Sequence, residues 1–293
     1  MFAQLAAIIA PIFICAGIGY LWARLRRPFE AEFVTQIVTM IGTPFLVFSS
    51  LTQLPLDLAV VGEMAGAALL AFLAFTIVGV IVLRLMRLPL HSYLPALIFP
   101  NGGNMGLPLC LFAFGEHGLA LAIVFFAVFA TLQFTLGVSI AAGTAEPGRV
   151  LRLPLLYAVI VALICVAAGI PVPGWLANTA DLIGGLTIPL MLIALGVSLG
   201  RLQIGSLKRS LLLSLVRLLP GAAIGFGVGW ALGLPEATRG VLAIQSAMPV
   251  AVFNYLFAQI YRREPAEVAG MIVLSTLISF VMLPLLLLLL LRG

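Results

Sequence analysis

Phe99-Pro100-Asn101-Gly102-Gly103-Asn104-Met105-Gly106-Leu107-Pro108-Leu109 interrupts an apolar run, from about Tyr93 to Phe114, that is otherwise a good membrane helix. Two prolines, three glycines and two asparagines cannot continue that helix. Proline lacks an amide donor and clashes with the preceding turn, and glycine weakens a helix by its backbone freedom. A break here leaves N–H and C=O groups free at membrane depth, which is tolerable only against protein or a wet cavity. The stretch therefore reads as a discontinuous helix whose two half-helix ends and two asparagine amides face a ligand. A merely kinked structural helix would need one proline; Pro-Asn-Gly-Gly-Asn is too polar for that role.

Composition sets the surroundings of this stretch. The chain has 293 residues, 63% hydrophobic and 9% charged, with a mean hydropathy of +1.26. Soluble domains carry about 25% charged residues, so the chain reads as an integral membrane protein without a separate soluble domain. The net charge of +5 does not imply nucleic acid, because the basic residues lie in short connectors between apolar segments. Cys15, Cys110 and Cys165 fall in apolar segments without metal-ligand spacing and read as buried structural thiols. The first apolar stretch has no basic n-region and no clear cleavage site, so it reads as a retained helix rather than a signal peptide.

Windows of about 20 apolar residues, enough to span a bilayer, recur near 2–23, 33–53, 58–83, 93–114, 118–142, 153–170, 176–199, 208–232, 238–261 and 267–290. Ten spans alternate the connectors between two sides. Twelve of the 15 Lys and Arg residues then fall on one side: Arg24, Arg26, Arg27, Arg84, Arg87, Arg149, Arg152, Arg201, Lys208, Arg209, Arg262 and Arg263. Arg239 and Arg292 fall on the other, and Arg217 lies within a span. Positive residues mark the cytoplasmic side, so both termini are expected outside. Trp22, Trp175 and Trp230 lie near span ends, as interfacial anchors do.

The two halves resemble each other at a shift of about 145 residues. Thr43-Pro44-Phe45-Leu46-Val47 matches Ile188-Pro189-Leu190-Met191-Leu192, and the break in span four lines up with Gln245-Ser246-Ala247-Met248-Pro249 in span nine. Five spans per repeat place the second repeat upside down. The expected fold is thus all-α, with ten transmembrane helices in two inverted five-helix repeats and helices four and nine broken and crossing at mid-membrane. Inverted repeats with interrupted helices at matching positions mark a secondary transporter with its site at the midplane.

The polar residues at the breaks are the candidate site. Half-helix N-termini present unpaired N–H groups and a partial positive charge, which suits an anion such as a carboxylate. Asn101 and Asn104 supply amides from the first break, Gln245 and Ser246 from the second, and Asn254 either joins the same cavity or bonds a neighbouring helix. Pro100, Gly102, Gly103 and Pro249 hold the breaks open. Arg217 lies eight residues after Arg209; at that depth it either attracts an anionic substrate or, as slightly preferred, snorkels to the inner interface. Asp57, Glu63 and Asp181 lie near the outer side, and Asp57 and Asp181 read as helix N-terminal caps. No Asp or Glu clearly sits at mid-depth, which argues against a carboxylate proton relay. His91 and His117 read as solvated loop residues. Met40, Met191, Met248, Phe125, Phe126 and Phe129 read as packing or lipid-facing, and Gly225, Gly227 and Gly229 as close helix packing.

At Asn101-Gly102-Gly103-Asn104-Met105-Gly106-Leu107-Pro108-Leu109 the chain resembles the auxin efflux carrier family, in its short bacterial form, within the bile-acid, arsenite and riboflavin-type transporter superfamily. The resemblance implies that residues 1–53 and 143–199 (helices one, two, six and seven) form a scaffold, often dimeric. It implies that 54–142 and 200–293 (helices three to five and eight to ten) form a mobile unit carrying the crossed helices. It implies organic anions as cargo, such as malate, malonate or auxin-like acids. The long hydrophilic loop of the plant members is absent: the connector from Gly143 to Arg152 is short.

These readings converge on a secondary transporter of small organic anions that works by elevator-type alternating access as a uniporter in a bacterial inner membrane. Its expected partners are the anion, the bilayer and a second copy of the chain, with no cofactor. The alternatives are a sodium-coupled organic-anion symporter, with a sodium ion held by neutral oxygens at the breaks, and an intramembrane enzyme, channel or sensor. An enzyme would need a nucleophile–base or metal set inside a span, and none is present in the sequence.

Overall fold

The computed structural model describes residues 2–53, 58–144, 154–202 and 205–290. Helices α1 (Phe2–Arg24) and α2 (Ala31–Ile37) lead through a π-helical turn, Val38–Gly42, into α3 (Thr43–Gln53). The wider turn lets the helix run on past Pro44, whose missing donor would otherwise break the ladder. Next come α4 (Leu58–Leu85), α5 (Leu90–Ile98), a second π-helical turn (Gly102–Gly106), α6 (Leu107–Leu132), a third (Gln133–Gly137) and α7 (Val138–Ala142). The remaining elements are α8 (Pro154–Ala167), α9 (Gly174–Arg201), α10 (Leu207–Ala231), α11 (Glu236–Ser246), α12 (Phe253–Ile260) and α13 (Pro265–Leu290). Among the described residues regular structure is entirely helical, save one isolated antiparallel bridge between Pro100 and Val250.

Among the described residues six helical segments are long and apolar enough to cross a membrane: Phe33–Gln53, Leu58–Leu85, Gly102–Ala142, Gly174–Arg201, Leu207–Ala231 and Pro265–Leu290. The 41 residues of Gly102–Ala142 would reach about 60 Å at 1.5 Å per residue, twice a bilayer core. The segment is kinked at Gly115, whose φ of 67° and ψ of −161° end one helix and start another. A side chain would be strained in that conformation.

Apolar faces explain which helices meet. Helix α1 packs on α9, α3 on α8 and α9, α10 on α4, α11 and α13, and α4 on α5 and α6. One end of the bundle is tied by cations. Arg201, closing α9, donates to the Phe29 carbonyl beyond α1 at 2.9 Å. Arg209, opening α10, reaches the Tyr93 hydroxyl at 3.1 Å and the Glu267 carboxylate at 3.8 Å. Arg263 donates to the Ala141 carbonyl at 2.8 Å. At the opposite end, Asp181 accepts hydrogen bonds from the Ser49 hydroxyl and the Gln53 amide, the latter at 2.6 Å. Asp181 therefore cross-links α9 to α3 from inside α9; it does not cap a helix, because α9 has already begun at Gly174. Asp57, Arg149, Arg152 and Arg292 lie outside the described residues.

Helix α10 approaches α11 along Gly221, Gly225 and Gly229, spaced one turn apart. A methyl group on Gly221 would come 2.6 Å from the Ser246 carbonyl oxygen, and one on Gly225 would come 2.8 Å from the Ala243 Cα. Gly227 belongs to a different face, opening on empty space, so the sequence expectation of close packing holds for Gly225 and Gly229 and fails for Gly227. Gly225→Val should lower the midpoint of thermal unfolding in detergent, at a cost of about 1–3 kcal/mol for overpacking. Gly227→Val should leave it unchanged; equal midpoints for the two would contradict this packing.

Candidate functional site

Helix α5 stops at Ile98 because Phe99 turns extended (φ −93°, ψ 108°) ahead of Pro100, as the residue before a proline tends to do. Helical geometry resumes at Gly102. On the other side α11 ends at Ser246 and α12 begins at Phe253. The two non-helical segments satisfy each other. The Asn101 amide donates to the Pro249 carbonyl at 2.7 Å, and the Ala251 amide donates to the Phe99 carbonyl at 3.1 Å. The Val250 amide donates to the Ser275 hydroxyl at 3.1 Å, which links α13 to the crossing. Backbone groups that would be orphaned in an apolar layer are thus paired in trans.

Arg217 holds the other side of the crossing. Its side chain is 1% exposed, which overturns the expectation that it snorkels to an interface. Nε donates to the Met248 carbonyl at 3.3 Å, Nη1 to the Leu97 carbonyl at 3.1 Å and Nη2 to the Ser246 carbonyl at 2.9 Å. The guanidinium carbon stands 4.5 Å from the centre of the Phe75 ring, close enough for a cation–π contact. Leu97 and Ser246 lie in the last turns of α5 and α11. Each helix C-terminus carries roughly half a negative charge. Two such ends offset one guanidinium, so the charge is compensated by carbonyl oxygens rather than by a carboxylate.

The remaining residues fall into two groups. Asn101 is buried, and its Nδ2 has no hydrogen-bond partner; Asn104, three residues on, is only partly buried. Gln245 and Ser246 are fully buried, and both sit in the last turn of α11 rather than in the break, which runs from Ala247 to Val252. That corrects the sequence alignment, which set the second break a few residues too early. The Gln245 carboxamide nonetheless crosses to the first break. Its Oε1 would be 2.2 Å from a methyl on Gly106 and 2.8 Å from one on Gly102, so those glycines make room for it. Its Nε2 donates to the Ala122 carbonyl at 3.5 Å, while Oε1, like the Ser246 hydroxyl, is buried without a partner. Asn254 bonds within the protein: Nδ2 donates to the Phe99 carbonyl at 3.4 Å, and Oδ1 accepts from Gln133 Nε2 at 3.3 Å. Pro100 and Pro249 lie in the two segments that meet, whereas Gly102 and Gly103, expected to hold the break open, begin the π-helical turn that follows it.

Sequence reasoning missed Gln133, Ser275 and Phe75. Gln133 had a usable signal, a lone carboxamide in a long apolar run, and it opens a π-helical turn. Ser275 and Phe75 had none, since serines in membrane helices and phenylalanines in apolar ones are common. Phe126 belongs to the site as well: its ring lies over Gly103. Phe72, Phe75, Phe99, Phe125 and Phe129 form an aromatic wall beside it, with ring centres 4.4–6.0 Å apart. The Gly102–Gly106 turn also packs against α9. His91 and His117 are exposed, and among the described residues no group of three His, Cys, Asp or Glu side chains could hold a metal ion.

The Gln133–Asn254–Phe99 chain ties α12 and the third π-helical turn to the end of α5. Hydrogen bonds between membrane helices average about 0.6 kcal/mol and reach about 1.7. Asn254→Leu and Gln133→Leu should each lower the thermal midpoint in detergent, and the double variant should lose less than the sum. Strict additivity would show that the two carboxamides are not coupled.

Residues 147–287 match the model of a family described as membrane transport protein. An uncharacterized transporter of Methanocaldococcus jannaschii is 24% identical over 274 residues, covering 87% of this chain and 88% of that protein. An uncharacterized transporter of Methanothermobacter thermautotrophicus is 28% identical over 269 residues, with the same two coverages. The described residues, all helical with six membrane-length apolar helices, agree with such relatives, and the second half of the chain is similar to the membrane transport protein family.

Proposed function

We propose that this protein is a secondary transporter of small organic anions, and that its site is the meeting of the two interrupted helices. One observation carries the reading: of six buried side-chain atoms without partners among the described residues, three, Asn101 Nδ2, Gln245 Oε1 and the Ser246 hydroxyl, lie in or directly beside these two interruptions. Unpaired buried polar groups are costly in a protein at rest, by about 1–3 kcal/mol each. A binding site has a reason to keep them. The helix starting at Gly102 offers its leading amides there, with the positive end of its dipole. Asn101 and Asn104 complete a donor-rich surface suited to a carboxylate, and Gln245 and Ser246 orient it. Asn254 and Arg217 support the frame rather than the anion, since their polar atoms already bond the protein.

The architecture we propose is ten spans in two inverted repeats. Four further units join the helices of membrane length: α1, α8, and the composite pieces α5 with the start of α6 and α11 with α12. Packing supports the symmetry. Exchanging the halves turns the α1–α9 contact into α8–α3, α4–α5 into α10–α11, and α4–α6 into α10–α13, and each of these pairs is present. Arg201, Arg209 and Arg263 all lie at one end, which supports a cytoplasmic end there and outward termini. In this scheme α1–α3, α8 and α9 form the scaffold, a dimer by family resemblance. The others move past it as a unit in an elevator motion. Asn104 lies at the seam, because its turn packs on α9. A bacterial inner membrane is the proposed setting.

Asn104→Ala should abolish uptake of a labelled carboxylate, drawn from a panel of mono- and dicarboxylates, in proteoliposomes. Its yield, elution profile and thermal midpoint should match those of the unchanged protein. Near-normal uptake by the variant would refute this placement of the site.

A further inference from the structure

We propose that the Arg217 guanidinium is a built-in counter-cation, occupying the place at the crossing where a carrier of this architecture would otherwise hold a coupling cation; this rests on the transporter reading above. Unwound carbonyls and half-helix C-termini are the groups that coordinate sodium or protons in carriers with discontinuous helices. Here the carbonyls of Leu97, Ser246 and Met248 converge on one guanidinium at 2.9–3.3 Å. They come from both interrupted helices, whereas the cation is covalently fixed to α10. Phe75 of α4 closes one face of it. Helices α4, α5, α10 and α11 pack on one another, so the clamp is contained within one packed body and would travel with it. Arg217 is therefore a positioning residue. It holds the carbonyl ends together so that the amide ends stay open to the anion, and it leaves no role at those carbonyls for a co-transported sodium ion. Lysine cannot reproduce it, because a point charge lacks the planar fork that reaches three acceptors on two helices.

The test combines purified protein in detergent with proteoliposomes. The thermal midpoint of the unchanged protein should be the same in sodium chloride and in choline chloride at equal ionic strength. Uptake at clamped voltage should be the same in sodium and in N-methylglucamine. Arg217→Ala should melt lower, and guanidinium chloride at concentrations far below denaturing should restore much of the loss, with tetramethylammonium chloride inactive. Arg217→Lys, which keeps the charge, should fall between the two and serves if the alanine variant does not fold. A saturable rise in midpoint or uptake with sodium in the unchanged protein would overturn the proposal. So would Arg217→Met melting like the unchanged protein, or a folded Arg217→Ala indifferent to guanidinium. The melting series needs no substrate. Absence of uptake across the carboxylate panel would therefore count against the transporter reading alone.

Discussion

A backbone amide or carbonyl released from a helix inside an apolar layer has no water to turn to. The two segments around Pro100 and Val250 meet that constraint by bonding to each other, Asn101 to Pro249 and Ala251 to Phe99. Much of the surrounding structure follows from this pairing. It brings the carbonyl ends of α5 and α11 to one point, where their combined partial charge requires a cation, and Arg217 supplies it. It brings the start of the Gly102–Gly106 turn beneath the Gln245 carboxamide, for which the glycines at 102 and 106 leave room. The glycine stripe of α10 then lets α11 lie close enough for Arg217 to reach two of its acceptors, Ser246 and Met248.

The polar atoms of this region divide by whether the protein satisfies them. Arg217, Asn254, Gln133 and Ser275 are bonded and account for rigidity. Asn101, Gln245 and Ser246 each keep one buried atom free, and Asn104 is only partly buried. A rigid frame with a few unsatisfied donors and acceptors at the ends of two interrupted helices is the arrangement expected of a site that waits for a ligand, since a frame that collapsed onto those atoms would close it.

The sequence made some of this legible for reasons of backbone chemistry. Pro100 and the glycine pair at 102–103 announced where α5 stops, since neither residue type sustains a helix, and composition alone made the chain a membrane protein. A resemblance to a transporter family was readable from Asn101 to Leu109. Side-chain direction was not readable. Arg217 looked like a residue near an interface because depth along a helix says nothing about which face it occupies, and its partners lie 29, 31 and 120 residues away in sequence. Gln245 and Ser246 were assigned to a break that begins just after them, because a proline marks a helix end only to within a turn. Asp181 resembled a cap and is a cross-link to Ser49 and Gln53, a long-range contact that no local pattern records.

On this reading an anion binds where the two interrupted helices meet. The most direct measurement is the labelling rate of Val252→Cys, a partly buried position in the second interruption, by a membrane-impermeant thiol reagent, in a chain whose Cys15, Cys110 and Cys165 are replaced. A carboxylate that the protein transports should slow that labelling, with half-protection at the concentration that half-saturates uptake. A labelling rate unchanged at concentrations that saturate uptake would place the anion elsewhere and contradict the account.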